Sequence, residues 1–156
     1  MFNIVLVTPQ IPNNTGSIGR LCVNTGSKLH LIEPLGFDID EKAVKRAGLD
    51  YWKKIDLHVW GSLEEFLESI NPSDNIHLAT TKIDTPYFNA SFKSGDYILF
   101  GSETAGLPND LLDRFKMRQI TIPMTKEGRS LNLAVSTGIV LYEAIRQNFN
   151  IYKNLM

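Results

Sequence analysis

The chain is short of the residues that would announce several common chemistries. It has one cysteine, Cys22, in 156 residues, which excludes an intramolecular disulfide and any multi-cysteine metal site. Its place in the apolar phrase RLCV makes packing the expected role. The three histidines, His30, His58 and His77, stand singly in alternating, strand-like segments, so no metal centre is expected. Excess positive charge is missing too. Sixteen basic residues against seventeen acidic ones leave a net charge of -1, so any contact with RNA or DNA must come from a local patch. No apolar run approaches the roughly 20 residues of a membrane span. FNIVLV is stopped by Thr8 and Pro9 and has no basic region before it, so a cytoplasmic protein without a membrane segment is expected.

Phosphate-binding and nucleophile signatures are also absent. GSETAG at 101–106 has two glycines at Walker spacing, but Leu107 and Pro108 replace the lysine and hydroxyl residue that would hold phosphate and magnesium. No GxGxxG follows the first apolar run, and serine occurs in GRSLN and AVSTG but not in a GxSxG elbow.

What is present is alternation. Short valine- and isoleucine-rich runs predict strands at Phe2 to Thr8, Lys28 to Glu33, Leu57 to Trp60, Ile76 to Thr80, Asp96 to Phe100 and Gln119 to Ile122. Between them, helices are predicted from about Thr15 to Asn24 with Gly26 as the stop, from Asp40 to Gly48, after a Ser62/Glu65 capping box, and after Pro108. One domain over 1–156 follows, an α/β fold with a mostly parallel six-stranded sheet flanked by helices. Ligands of such sheets sit beyond the carboxyl ends of the strands, in the loops NNTGSIGR, ATTK, GSETAGLP and PMTKEGRSLN.

The last element, Ile120 to Gln147, is the most unusual. Pro123 ends a strand, a polar loop follows, and Ser130 is the expected N-cap of a helix to Arg146. Leu131, Val135, Ile139 and Tyr142 share one stripe, widened by Ala134, Leu141 and Ile145. The succession Val135, Ser136, Thr137, Gly138, Ile139 and Val140 consists of weak helix formers, each costing roughly 0.5–1 kcal/mol against alanine. Packing on more than one side, by sheet, a threaded loop or a second subunit, must offset that cost. Three strand ends, Ala79 to Thr81, Gly101 to Glu103 and Ile122 to Met124, are apolar with small residues. Their backbone groups suit an adenine edge, while Ile122 and Met124 would cover its faces.

NNTGSIGR at 13–20, ILFGSETAGLP at 98–108 and IPMTKEGRSLNLAVS at 122–136 resemble, in order and spacing, the three motifs of the SPOUT RNA methyltransferases. The resemblance covers essentially the whole chain and extends to RAGLDYW at 46–52. It implies a deep C-terminal trefoil knot, bent S-adenosylmethionine as cofactor and a homodimer whose sites draw on both subunits. It further implies 2'-O-methylation of a tRNA wobble ribose. The alternatives are another RNA, such as rRNA, or a non-catalytic RNA-binding module. Cofactor contacts carried by the resemblance fall on Ala79, Gly101, Glu103, Ile122, Met124, Ser130 and Leu131.

Arg20 is the arginine of the first motif; a guanidinium protonated to about pH 12 is a poor base, so it is read as a phosphate anchor and oxyanion stabiliser. Asn14 orients Arg20 or the ribose, or simply forms a turn. Glu103 holds the knot together or meets Arg20 of a second copy. Ser130 and Asn132 serve as cap and first-turn residues, as reactive-site residues, or as both. For RNA, Lys42, Lys45, Arg46 and Arg129 supply charge for phosphates, with the rings of Tyr51 and Trp52 for stacking. Tyr142 is assigned to dimer or core packing.

Overall fold

The computed structural model describes residues 1–39, 51–71 and 75–156. The helix predicted from Asp40 to Gly48, with Lys42, Lys45 and Arg46, lies outside them. Among the described residues the strands are β1 (Asn3–Val7), β2 (Lys28–Ile32), β3 (Leu57–Trp60), β4 (Ile76–Ala79), β5 (Tyr97–Phe100) and β6 (Gln119–Ile120). They form one sheet in the order β3-β2-β1-β5-β4-β6. Every pairing is parallel, with Val5 opposite His30 on one side and Leu99 on the other. The helices are α1 (Pro12–Thr25), α2 (Leu63–Ser69), α3 (Asn109–Arg114), α4 (Leu133–Gln147) and the short turn α5 (Phe149–Tyr152).

The period-two geometry of a strand sorts the apolar residues onto two faces. Ile4, Leu6, Leu29, Leu31, Ile98 and Phe100 pack against Ile18 and Cys22 of α1 and against Val140, Leu141, Ala144 and Ile145 of α4. Val5, Val7, Ile32, Leu78 and Leu99 pack against Phe66 of α2 and Leu111 and Leu112 of α3. Burial pushes the Cys22 thiol up to about 12, which makes it the inert core residue expected.

Helix α4 shows how tertiary packing overrides propensity. Thr137, Val140, Leu141 and Ala144 have no exposed surface, and each large apolar side chain so buried contributes about 1.5–3 kcal/mol. Two expectations about this helix are corrected. Its cap is Asn132, whose Oδ1 accepts from Ala134 N at 2.9 Å and Val135 N at 3.2 Å, not Ser130. Both residues are good caps, but the chain from 130 to 132 continues into a cleft wall, so helical turns begin only after Asn132. The buried stripe is Leu133, Thr137, Val140, Leu141, Ala144 and Ile145, whereas Val135 and Tyr142 stand 52% and 51% exposed. A helix that is apolar nearly all round does not declare which side faces in.

Two other boundaries moved. Helix α1 starts at Pro12, because the N–H that proline lacks would have had no intrahelical partner in a first helical turn. Strand β6 is only two residues long. Beyond it, Thr121 leaves β4 and pairs with the 85–87 segment, its N–H donating to Thr85 O and its carbonyl accepting from Tyr87 N, both at 2.8 Å.

Candidate active site

The chain runs outward from β1 to β2 and β3, then crosses to place β5 and β4 on the other side of β1. In such sheets the crevice opens where the strand order reverses, beyond the carboxyl ends. A cleft of about 390 Å³ lies there. Its walls come from Ala79 to Lys82 after β4, Phe100 to Leu107 after β5, Ile122 and Met124 after β6, and Ser130 to Leu133 at the entry of α4; Ile11 and Asn14 of the α1 entry close it. All seven residues assigned to cofactor contact, namely Ala79, Gly101, Glu103, Ile122, Met124, Ser130 and Leu131, line this one cleft. Gly101 is required by close approach: a Cβ there would collide with the backbone of Gly106 and Leu107. The loop 101–107 is thereby folded back on itself, and Ser102 and Gly106 bridge across it.

A polar chain joins the three motifs. Glu103 accepts from Gln10 N at 2.8 Å, Ile11 N at 3.1 Å and Asn14 Nδ2 at 3.2 Å. Asn14 Oδ1 in turn accepts from Asn132 Nδ2 at 2.9 Å. Both ends fix its direction. Asn132 Oδ1 is held by backbone donors, so its amide nitrogen faces Asn14; the carboxylate at the far end requires Asn14 to present its own nitrogen. Burial raises the Glu103 carboxyl, but hydrogen bonds from the backbone at Gln10, from its own N–H, from Asn14 and from Ile11 outweigh it and hold the group below its ordinary value. A carboxylate so engaged is an anchor, not a proton acceptor.

Arg20 stands apart from this cleft. It is exposed on α1 and is not among the lining residues, while its guanidinium lies 4.7 Å from the centroid of the Tyr51 ring. Arg129 is exposed in the loop before Ser130. Of the rings expected to stack on bases, Tyr51 has Arg20 over its ring and Trp52 borders Gly19, and both remain partly exposed. Thr80, Thr81 and Lys82 of the ATTK loop singled out in the sequence also line the cleft, as does Ser136, which sequence reasoning did not place there. The loop ATTK was legible as a strand end; that its lysine borders the cleft and donates to Asn109 Oδ1 at 2.5 Å was not. Among the described residues no group of three or more His, Cys, Asp or Glu could hold a metal, and no helix is long and apolar enough to cross a membrane.

The cleft can be set beside known proteins. A tRNA (cytidine(34)-2'-O)-methyltransferase of Aeromonas hydrophila is 47% identical over 148 residues, 94% of each chain. A structure described as giving insight into 2-OH methylation of C/U34 on tRNA superposes with a TM-score of 0.90 at 42% identity, covering 96% of this chain and 97% of the other. An AdoMet-bound rRNA methyltransferase of Sinorhizobium meliloti matches with a TM-score of 0.82 at 27% identity, covering 93% of this chain and 56% of that one. The SpoU rRNA Methylase family profile spans residues 1–142, and with these motifs placed around a single crevice the chain belongs to that family.

Proposed function

We propose that this chain, a single domain working in the cytoplasm as a homodimer, methylates the ribose 2'-hydroxyl of the wobble nucleotide, position 34, of a tRNA, with S-adenosylmethionine as donor. The observation that carries the reading is the convergence of all three motif loops on one cleft, with Arg20 held outside it. Relatives at about this identity that cover nearly the whole chain are named for that reaction.

The cleft fits such a cofactor. Its volume of about 390 Å³ lies within the roughly 300–1,000 Å³ of small-molecule sites. Met124 and Leu131 offer apolar surface for a purine, and the strand ends at Ala79, Gly101 and Ile122 bring backbone donors and acceptors to its edge. When bound, S-adenosylmethionine supplies a sulfonium-activated methyl group. Transfer to the ribose would break the sulfur–carbon bond and form the carbon–oxygen bond, with the hydroxyl proton passing to solvent water. The protein's task is to hold that oxygen about 3 Å from the carbon, in line with the breaking bond.

Arg20 of a second copy is assigned to this task. Its charge anchors a flanking phosphate and offsets the negative charge developing on the 2'-oxygen. The exposed apolar side chains of Val135 and Tyr142 on α4 support a subunit contact next to the cleft, which would bring the second α1 alongside. Asn14 and Asn132 keep the α1 and α4 entries in register, Ser130 serves the cofactor cleft, and Arg129, with Lys42, Lys45 and Arg46, is assigned to RNA phosphates. The lining of one cleft by loop 101–107 together with Ile122, Met124 and 130–133 supports a threaded, knotted chain at this place.

The test is incubation of purified protein with methyl-labelled S-adenosylmethionine and tRNA lacking wobble methylation. A 2'-O-methyl group at position 34 is expected, and Arg20→Ala should lower turnover about 10²-fold while leaving cofactor affinity intact. Normal cofactor binding with no mark on tRNA would overturn the reading. Transfer to rRNA instead would favour the second reading, which the family description and the Sinorhizobium relative suggest.

A further inference from the structure

We infer that Tyr51 is the positioning residue for Arg20, held against a face of α1 that Gly19 of NNTGSIGR keeps open for it. The inference rests on Arg20 being the group that meets the substrate. Residues 16, 19 and 20 lie at helical spacing of three and four and so share one face of α1. The segment 51–55, a single 3₁₀ turn flanked by Tyr51 and Ile55, lies along that face and touches all three positions.

At Gly16 the Tyr51 hydroxyl donates to the carbonyl oxygen at 2.6 Å, a short bond that fixes the plane of the ring. At Gly19 any side chain would start 2.5 Å from Ile55 Cδ1 and 3.5 Å from Trp52 Cζ3, so the bare backbone lets the segment approach without displacing the tip of Ile55. At Arg20 the guanidinium carbon sits 4.7 Å from the ring centroid, within cation–π range. With its proton given to Gly16, the phenol oxygen still has acceptor capacity toward Arg20, whose hydrogen bond and charge act against the upward push of burial on the Tyr51 hydroxyl.

An exposed arginine on a helix otherwise samples many rotamers, and ordering it at the moment of reaction costs turnover. The ring removes part of that freedom in advance. Gly19 of the first motif thus acquires a purpose beyond helix entry: it admits the strap that aims the arginine one residue further on. The ring face covered by Arg20 is correspondingly withdrawn from base stacking.

Tyr51→Leu removes ring and hydroxyl; Tyr51→Phe removes the hydroxyl alone. Each is made alone and with Arg20→Lys, and kcat, KM for tRNA, cofactor Kd and thermal midpoint are measured. Tyr51→Leu should lower kcat about tenfold and Tyr51→Phe about threefold, with KM and Kd moved less than about twofold. In the Arg20→Lys background either change should cost less than about twofold, because the partner it positions is gone. Parent-like turnover of Tyr51→Leu, or equal losses in both backgrounds, would overturn the inference while leaving the role of Arg20 intact. Should Tyr51→Leu fail to fold, the Tyr51→Phe pair decides in the same way. If Arg20→Lys alone changes nothing, it is the reading of the site that falls, and this inference with it.

Discussion

Strand β5 carries a carboxylate just beyond each end, and the two are used for opposite purposes. Before it, Asp96 is buried and accepts from His77 Nε2 at 2.9 Å and Lys93 N at 2.8 Å, with Phe92 packed on the imidazole. Met1 O takes Gly95 N at 2.6 Å beside it, so the amino end of the sheet is sealed. After it, Glu103 also gathers donors, but they belong to the α1 entry and to Asn14, and through Asn132 the network runs to the start of α4. The first carboxylate closes an end of the sheet; the second spaces three loops so that an end stays open. Hydrogen-bonding capacity does not separate scaffold from site here. What separates them is whether the partners lie at the sealed end of the sheet or border a cleft.

The contrast can be broken most severely at Gly101. Gly101→Ala puts a methyl group into the backbone of Gly106 and Leu107, which has no flexible tip to yield, and should cost about 3 kcal/mol of stability and abolish measurable cofactor binding. Denaturant unfolding and calorimetric titration would read both. Next come the two carboxylates themselves. Asp96→Ala should lower stability by about 2–3 kcal/mol by orphaning buried His77, with cofactor affinity of the folded protein unchanged. Glu103→Ala, whose partners are nearer to water, should cost only about 1 kcal/mol yet weaken cofactor binding about tenfold, because the α1 and α4 entries lose their spacer. Equal effects of the two changes on binding would erase the distinction.

The smallest effect concerns the scaffold alone. His30 accepts from Trp60 Nε1, so its other nitrogen carries the proton toward Asn3 Oδ1, and the ring stacks on His58. Burial, then the charges of His58 and Lys28, hold it down at about 4, against a smaller opposing pull from Asp56. Between its ordinary 6.5 and 4 the unfolded chain binds a proton that the folded chain does not. Stability from this group is therefore complete above that window, falls as pH drops through it and levels off below. His30→Gln should flatten part of that slope in denaturant titrations, without altering cofactor affinity at neutral pH.

Much of this architecture was legible in advance, for physical reasons that also mark where legibility stopped. Strands buried on both faces announce themselves as apolar runs, and β3 was bounded to the residue. The capping pair Ser62 and Glu65 was equally plain, with Ser62 Oγ accepting Glu65 N at 3.1 Å and Glu65 returning to Gly61 N, one residue earlier than the reciprocal bond usually falls. Cleft residues at strand ends were found because topology places ligands there. Asn132 was missed as the cap because local sequence ranks serine and asparagine alike. The contacts of Glu103 with Gln10 and of Tyr51 with Gly16 span 93 and 35 residues and leave no periodic trace. Periodicity reports only what a residue's near neighbours require.

Those separations have a consequence for the making of the protein. Asn132 meets Asn14 across 118 positions, so the pocket needs the first helix and the last long one together. A nascent chain leaving the ribosome carries its opening motif as an unfinished half-site for nearly the whole of translation. Binding of the methyl donor thus becomes a signal that synthesis has reached the final long helix.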